Sequence, residues 1–368
     1  MSTPVRPSRL SGDNPPAAAP QAPQLSVVMC TYNRGELLVP ALRSVLAQHP
    51  PTTPPFELIV VDNNSTDETR AIVEEFAGLD GRVRYFYEGR QGLSFARNAG
   101  IQQARAPLIA FTDDDVRADP GWVTAVIRAF AEHPGADIGG GRVLPLWPAA
   151  PPRWLTPDHW APLALVDHGD KARDITPGQA ICLVGANLAC RRDAFDAVGL
   201  FTTGLQRVKD GIGSLEDHEF LLRLLRAGRN GVYDPRIVVH AEIQADRLQR
   251  AYHRRWHTGH GHFHALLRSP EVEETARGSF AGVPAHLYRQ AIADAVGWIR
   301  ASAKRQPARA FLHEVRLRFF WGFLRTRGRE FLATPRHQRK AQRPAFGSTA
   351  SAEPLLQRAN TSVARGRE

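Results

Sequence analysis

The sequence predicts an α/β fold: a mostly parallel central sheet flanked by helices, followed by a helical C-terminal extension. Three observations carry this. Short, almost continuous apolar runs alternate with segments of helical periodicity. Polar clusters follow the apolar runs directly. Beyond residue 245 the strand-like runs give way to long stretches rich in Arg, His and aromatic residues.

Leu25–Cys30 (LSVVMC) is a run suited to a strand buried on both faces. Glu36–Gln48 then carries Leu37, Leu38, Ala41, Leu42, Val45 and Leu46 at helical spacing. Phe56–Val61 predicts a second strand, Asp67–Phe76 a second helix and Val83–Tyr87 a third strand. Leu93–Gln103 follows as a helix, Pro107–Thr112 as a strand and Trp122–Glu132 as a helix. Strands alternating with helices imply parallel pairing through right-handed crossovers. Ligands of such sheets sit beyond the carboxyl ends of the strands. Three strand ends deliver polar residues there: Thr31-Tyr32-Asn33, Asp62-Asn63-Asn64 and Asp113-Asp114-Asp115.

Four segments follow from this reading. Residues 1–24, rich in Pro, Ala and Ser, form a disordered arm, and residues 334–368 a disordered basic tail. Residues 25–245 form the α/β domain and residues 246–333 a helical basic and aromatic extension. Residues 142–180, rich in Pro and Trp, read as a long loop or lid.

Apolar residues make up 43% of the 368-residue chain, enough for a sizeable core. Lys and Arg number 47 against 37 Asp and Glu, a formal charge of +10 that favours anionic partners such as nucleotides, nucleic acid or acidic headgroups. No nucleic-acid-binding motif accompanies that charge. Three cysteines without a CxxC pair argue against a disulfide framework or structural zinc and for a reducing compartment. The N-terminal arm has no apolar stretch of the kind a secretory leader needs, and no run suits a spanning helix. A cytoplasmic protein, peripheral on the membrane if attached at all, is therefore expected.

Three consecutive carboxylates repel one another and call for a cation or strong donors. Hard oxygen ligands suit Mg²⁺ or Mn²⁺ bridging to phosphates. The same triplet also reads as an acidic turn before the helix that begins near Asp119-Pro120.

The order VVMCTYNR, ELIVVDNNSTD, GLSFARNAGI and PLIAFTDDDVRADPGW resembles the family 2 glycosyltransferases, over roughly residues 25–245. The resemblance implies a GT-A fold and inverting, metal-assisted transfer of a sugar from a nucleotide-diphosphate donor, with a UDP-sugar the commonest. It implies a glycan, lipid-linked or small-molecule acceptor, in polysaccharide, glycolipid or envelope glycan synthesis. Thr31, Tyr32, Asn33 and Arg34 match the loop that holds the nucleotide, where an aromatic ring can stack on the base. Asp62, with Asn64 beside it, matches the acidic residue on base or ribose. Arg97 and Asn98 fall in the segment near the diphosphate, where an Arg offers a planar donor fork. The triplet takes the place of the DxD motif: Asp115 and Asp113 as metal ligands, Asp114 or Asp113 reaching the ribose.

Further on, GSLEDHEFLLRLLRAG matches the motif of the general base. Asp217 is the first choice for that role and Glu216 the second. His240 closes the strand-like run Arg236–His240 and takes a position where some relatives add a metal ligand. Asn187 and Trp147 are candidate acceptor contacts. Each residue also has a plain structural reading: Asp62 in an Asx turn, Tyr32 in packing, Arg97 on a solvated helix face, Glu216-Asp217 favoured by a helix dipole, His240 hydrogen-bonded in the fold.

Residues 247–268 concentrate Arg and His, including Arg247, as a segment closing over the diphosphate or facing headgroups. Residues 307–332 mix Phe, Trp and Leu with Arg, as an interfacial helix on an anionic membrane would, or as a helix packed on the catalytic domain. A nucleotidyltransferase would carry a Gly-rich basic loop after the first strand, where CTYNRGELL has one glycine. A degenerate binding protein would have lost the triplet or the ED pair, and both are present.

Overall fold

The computed structural model describes residues 21–48, 53–205, 215–268 and 278–333. The expected tail, most of the N-terminal arm and the stretch 206–214 lie outside the described residues.

The predicted strands form within a residue of their expected limits: β1 (Leu25–Thr31), β2 (Phe56–Asp62), β3 (Val83–Tyr87) and β4 (Leu108–Asp113). They pair in parallel in the order β3-β2-β1-β4. Both faces are covered, so alternate side chains feed two cores. Val27, Met29, Leu58 and Val60 join one cluster with Leu38, Leu42 and Val45 of α1 (Gly35–Leu46) and Val123 and Val126 of α4 (Trp122–Glu132). Val28, Cys30, Ile59 and Val61 join the other with Ala96 and Ala99 of α3 (Leu93–Gln103) and Phe220 and Leu224 of α6 (Glu216–Arg226). The helix α2 spans Thr69–Leu79, later than expected. Asp67 lies before it, its carboxylate accepting from the Thr69 amide at 3.1 Å and the Thr69 hydroxyl at 2.6 Å.

Past β4 the sheet becomes mixed. β5 (Val116–Ala118) runs antiparallel to β9 (Asn230–Glu242). β9 runs parallel to β6 (Ala136–Leu146) and antiparallel to the short β7 (Arg173–Ile175). β8 (Asn187–Arg191) joins β4 and β6, antiparallel to both, and leads into α5 (Arg192–Val198). The expected loop at 142–180 is therefore strand at its start and again at Arg173–Ile175, with short 3₁₀ turns between.

Among the described residues, the C-terminal part contains the small antiparallel pair β10 (Ser279–Phe280) and β11 (Val283–Pro284) and three helices. These are α7 (Arg250–Leu267), α8 (Ala285–Ala303) and α9 (Pro307–Ala333). α7 and α9 cross backbone to backbone. A Cβ on Gly261 would lie 2.0 Å from the Phe319 carbonyl oxygen, and one on Gly322 would lie 2.0 Å from that of Thr258. Phe311, Val315 and Phe323 of α9 are buried. Much of the aromatic content of 307–332 is thus packing, not an interfacial face.

Candidate active site

The register of the parallel strands sets the site. Thr31 pairs with Asp62 across β1 and β2, and Cys30 with Asp113 across β1 and β4, so the three polar strand ends share one edge. Thr31 is buried and Tyr32 half-buried. Asn33 takes φ 50° and ties its loop to the next, accepting from the Thr66 amide at 2.7 Å while its own amide donates to Ser65 Oγ at 3.0 Å. Asp62 is buried. Its carboxylate accepts from the Ser65 amide at 2.8 Å, an Asx-type turn, and from the Tyr85 hydroxyl at 2.9 Å. Burial and that bond to Asp62 push the Tyr85 phenol up to about 12. Asn64, at φ 68°, accepts from Tyr87 Oη at 2.7 Å.

Arg34 crosses to the acidic triplet, donating to Asp114 Oδ1 at 2.9 Å and Asp115 Oδ2 at 3.1 Å. Arg247 reaches the same Asp115 oxygen at 3.3 Å and Gln244 at 3.5 Å. Asp114 is buried, and burial pushes its carboxyl up to about 6 against the pull of Arg34, with the charge of Asp115 adding to the rise. Asp113 is the most open of the three, its side chain 30% exposed. The donor chemistry fits a hard divalent cation. Two guanidinium groups already bring positive charge to Asp115 Oδ2, where a cation would sit. Among the described residues no three His, Cys, Asp or Glu form a closed metal cage, so a cation here would take further oxygens from a diphosphate.

Arg97 is placed differently from the expectation. It lies within α3 at 4% exposure, so it is not on a solvated helix face. Its Nη1 donates to Glu216 at 2.9 Å, and its Nη2 lies 3.8 Å from Asp113. Burial works against the charge, but Glu216, Asp113 and Asp217 hold the guanidinium above its ordinary value. Asn98 is also spent within the fold, its amide exchanging two hydrogen bonds with the Phe201 backbone at 2.9 and 3.0 Å.

Glu216 and Asp217 open α6 in opposite surroundings. Glu216 is 1% exposed and held by Arg97. Asp217 is half-buried and accepts from the Gly185 amide at 3.0 Å through Oδ2, and from the His218 amide at 2.8 Å through Oδ1. Gly185 serves two neighbours: a Cβ there would stand 2.2 Å from Arg97 Nη2. The buried guanidinium therefore ties the triplet to the ED pair.

His240 does not join the triplet; its Nδ1 lies 3.9 Å from Asp119. Asn187 is not available to an acceptor. It is 2% exposed, donates to the carbonyls of Arg142 and Ile237 at 2.8 and 3.0 Å, and accepts from Trp122 Nε1 at 2.9 Å. Trp147 is half-buried against the first core cluster. The role of Asn63 escaped the sequence reading: it accepts from the Gly92 amide at 2.7 Å and donates to the Glu88 and Arg90 carbonyls, pinning the loop before α3.

Strand ends converging on an acidic triplet, with carboxylates at a later helix start, define the GT-A class of α/β fold. A mannosyltransferase from Pyrobaculum calidifontis, solved with GDP-Man and Mn²⁺, shares the fold with a TM-score of 0.52 over 82% of this chain and 88% of its own, at 16% identity. Residues 26–199 match the model of Glycosyl transferase family 2. Glucosyl-dolichyl phosphate glucuronosyltransferase of Haloferax volcanii is 29% identical over 190 residues, 51% of this chain and 58% of that protein. Validoxylamine A glucosyltransferase of Streptomyces hygroscopicus subsp. limoneus is 41% identical over 122 residues, 32% of this chain and 26% of that protein. The chain spans less than two thirds of the length of either relative.

Proposed function

We propose that this protein transfers a sugar from a nucleotide-diphosphate donor to an acceptor hydroxyl with inversion at the anomeric carbon. The observation that carries the reading is the position of Arg97, whose guanidinium meets Asp113 on one side and Glu216, next to Asp217, on the other. The donor-side carboxylates and the base candidate thereby flank one guanidinium.

The loop from Thr31 to Arg34, with Asp62 and Asn64, forms the nucleotide cradle. Arg34 and Arg247 are the cations placed to receive the diphosphate, since both already sit on Asp115. Mn²⁺ or Mg²⁺, held by Asp115 with Asp113, would supply Lewis-acid neutralisation of the leaving nucleotide. Asp217 is the general base. Two backbone amides fix its carboxylate, which stays half-open to take the proton of the acceptor hydroxyl. One displacement opposite the leaving group requires no second carboxylate nucleophile. The name of the Haloferax relative suggests a lipid-phosphate-linked glycan as the acceptor class, and a UDP-sugar is the donor we favour.

The test is a thermal-shift panel of UDP, GDP and dTDP with and without Mn²⁺ or Mg²⁺, on the wild type and Asp115→Ala. A ligand bound only by the folded state raises stability by ~2.7 kcal/mol at a hundredfold excess over its Kd. The expected result is a metal-dependent shift with one nucleotide, lost in Asp115→Ala. No shift with any nucleotide in folded protein sinks the reading.

A further inference from the structure

The surface of the C-terminal helices has a property that the transfer reaction does not use. Of the ten large apolar side chains left exposed among the described residues, only Leu79 and Tyr87 precede residue 246. Three of the others lie in one row on α8: Ile292 at 66% exposure, Val296 at 41% and Ile299 at 61%. Spacings of four and three residues stack side chains on a single helix face. Arg289 and Arg300 are exposed on the same helix, three residues before the row begins and one after it ends.

The charge around this row is of one sign. α8 carries a single carboxylate, Asp294, and it is buried, 2.8 Å from His313 Nδ1 and 3.6 Å from Arg316 Nη1. Lys304, Arg305 and Arg309 follow at the α8–α9 turn, all exposed. On α9, Glu314 pairs with Arg254 and Glu330 with Arg268 and Arg327. Arg289, Arg300, Lys304, Arg305 and Arg309 form no ion pair with a carboxylate among the described residues.

We propose that the outer face of α8 docks on an anionic lipid bilayer, with Ile292, Val296 and Ile299 entering the headgroup–acyl boundary and the flanking cations meeting the headgroups. The occupant must be apolar at the centre and anionic around it. A second copy of this chain would oppose like charges at Arg289 and Arg300. Nucleic acid would satisfy the cations and leave the aliphatic row in water. An anionic membrane surface meets both requirements, because binding there combines buried apolar area with attraction to acidic lipid. No helix among the described residues is long and apolar enough to cross a membrane, so the contact lies in the plane of the surface. The sequence pattern left α9 open to this role or to packing on the catalytic domain; the structure buries Phe311, Val315 and Phe323 of that helix and leaves the α8 row open.

The experiment uses the full chain in cosedimentation with phosphatidylcholine vesicles, with and without phosphatidylglycerol, at low and high salt. Three proteins are compared: the wild type, Ile292→Ser/Ile299→Ser and Arg289→Glu/Arg300→Glu. The expected result is binding to phosphatidylglycerol vesicles that weakens about tenfold or more in each variant, in high salt and on neutral lipid. Circular dichroism and the nucleotide thermal shift should stay unchanged, since the replaced side chains are exposed and lie outside the donor site. Absence of wild-type binding at low salt overturns the proposal, as does unchanged binding by both variants. Self-association seen by light scattering and abolished by the same substitutions would overturn it in favour of a second copy.

Discussion

Glu216 and Asp217 are adjacent carboxylates whose surroundings assign them different work. Glu216 is sealed against Arg97, while Asp217 stays half-open on two amide donors. Asp217→Asn keeps the shape of the side chain but removes the basic oxygen and, because an amide nitrogen cannot accept, one of its two backbone hydrogen bonds. Turnover should fall by about 10²–10⁴-fold, with nucleotide affinity near wild type and stability lowered by only about 1 kcal/mol. Glu216→Gln leaves the buried Arg97 short of its closest counter-charge and should cost about 3 kcal/mol of stability. Steady-state kinetics beside thermal melts separates the two. A Glu216→Gln protein that melts normally and does not turn over would reverse the assignment of the base.

At the scale of elements, the parallel half of the sheet was legible because its strands are buried on both faces. Runs such as LSVVMC and FELIVV have no helical reading that hides a polar face, and their ends come within a residue of expectation. β6 was not legible. Its Gly139-Gly140-Gly141 stretch breaks the apolar pattern, yet Gly141 is needed because the Ile237 carbonyl would meet a Cβ at 1.9 Å. The strand ends of the candidate site were readable for the same reason as the strands, but the partners of Arg97 and Asn98 were not. Glu216 lies 119 residues from Arg97, and Phe201 lies 103 from Asn98. No local pattern reports such a pair. The crossing of α7 and α9 is a third case, for glycine inside a helix reads from sequence as a weakness. Here Gly261 and Gly322 let two backbones meet. Gly322→Val should destabilise the C-terminal helices by about 3 kcal/mol or more, since the clash is with backbone that cannot rotate away. Limited proteolysis should then release fragments from α8 and α9 under conditions where the wild type resists. Resistance equal to wild type would mean the crossing tolerates separation.

Over the whole molecule, the C-terminal helices and the sheet-bearing part of the chain meet through aromatic and histidine side chains. Trp154, His159, His253 and Phe311 form one ring cluster, with Trp154 4.7 Å from Phe311 and 5.0 Å from His253. Along α7, His253, His257, His260 and His264 follow at helical spacing, and His260 and His264 share a 3.1 Å contact. Burial holds these imidazoles neutral: His253 is pushed down to about 4, His257 and His260 to about 3, and His264 and His159 also downward. In the unfolded chain each would take a proton near 6.5. Between that value and about 4 the unfolded state binds more protons, so stability falls as pH falls. Each histidine contributes up to ~1.4 kcal/mol per pH unit across the window. The central sheet lacks such a ladder among its described residues. Acidification should therefore loosen the C-terminal helices before the sheet. The part of the tryptophan emission that Trp154 and Trp256 contribute should shift to the red between about pH 6 and 4, with the strand signal in far-ultraviolet circular dichroism persisting. Replacing His253 and His260 by Gln, which cannot take the proton, should move that first transition to lower pH. A single transition, at the same pH in the wild type and the double variant, would mean that the buried histidines do not govern where the molecule comes apart.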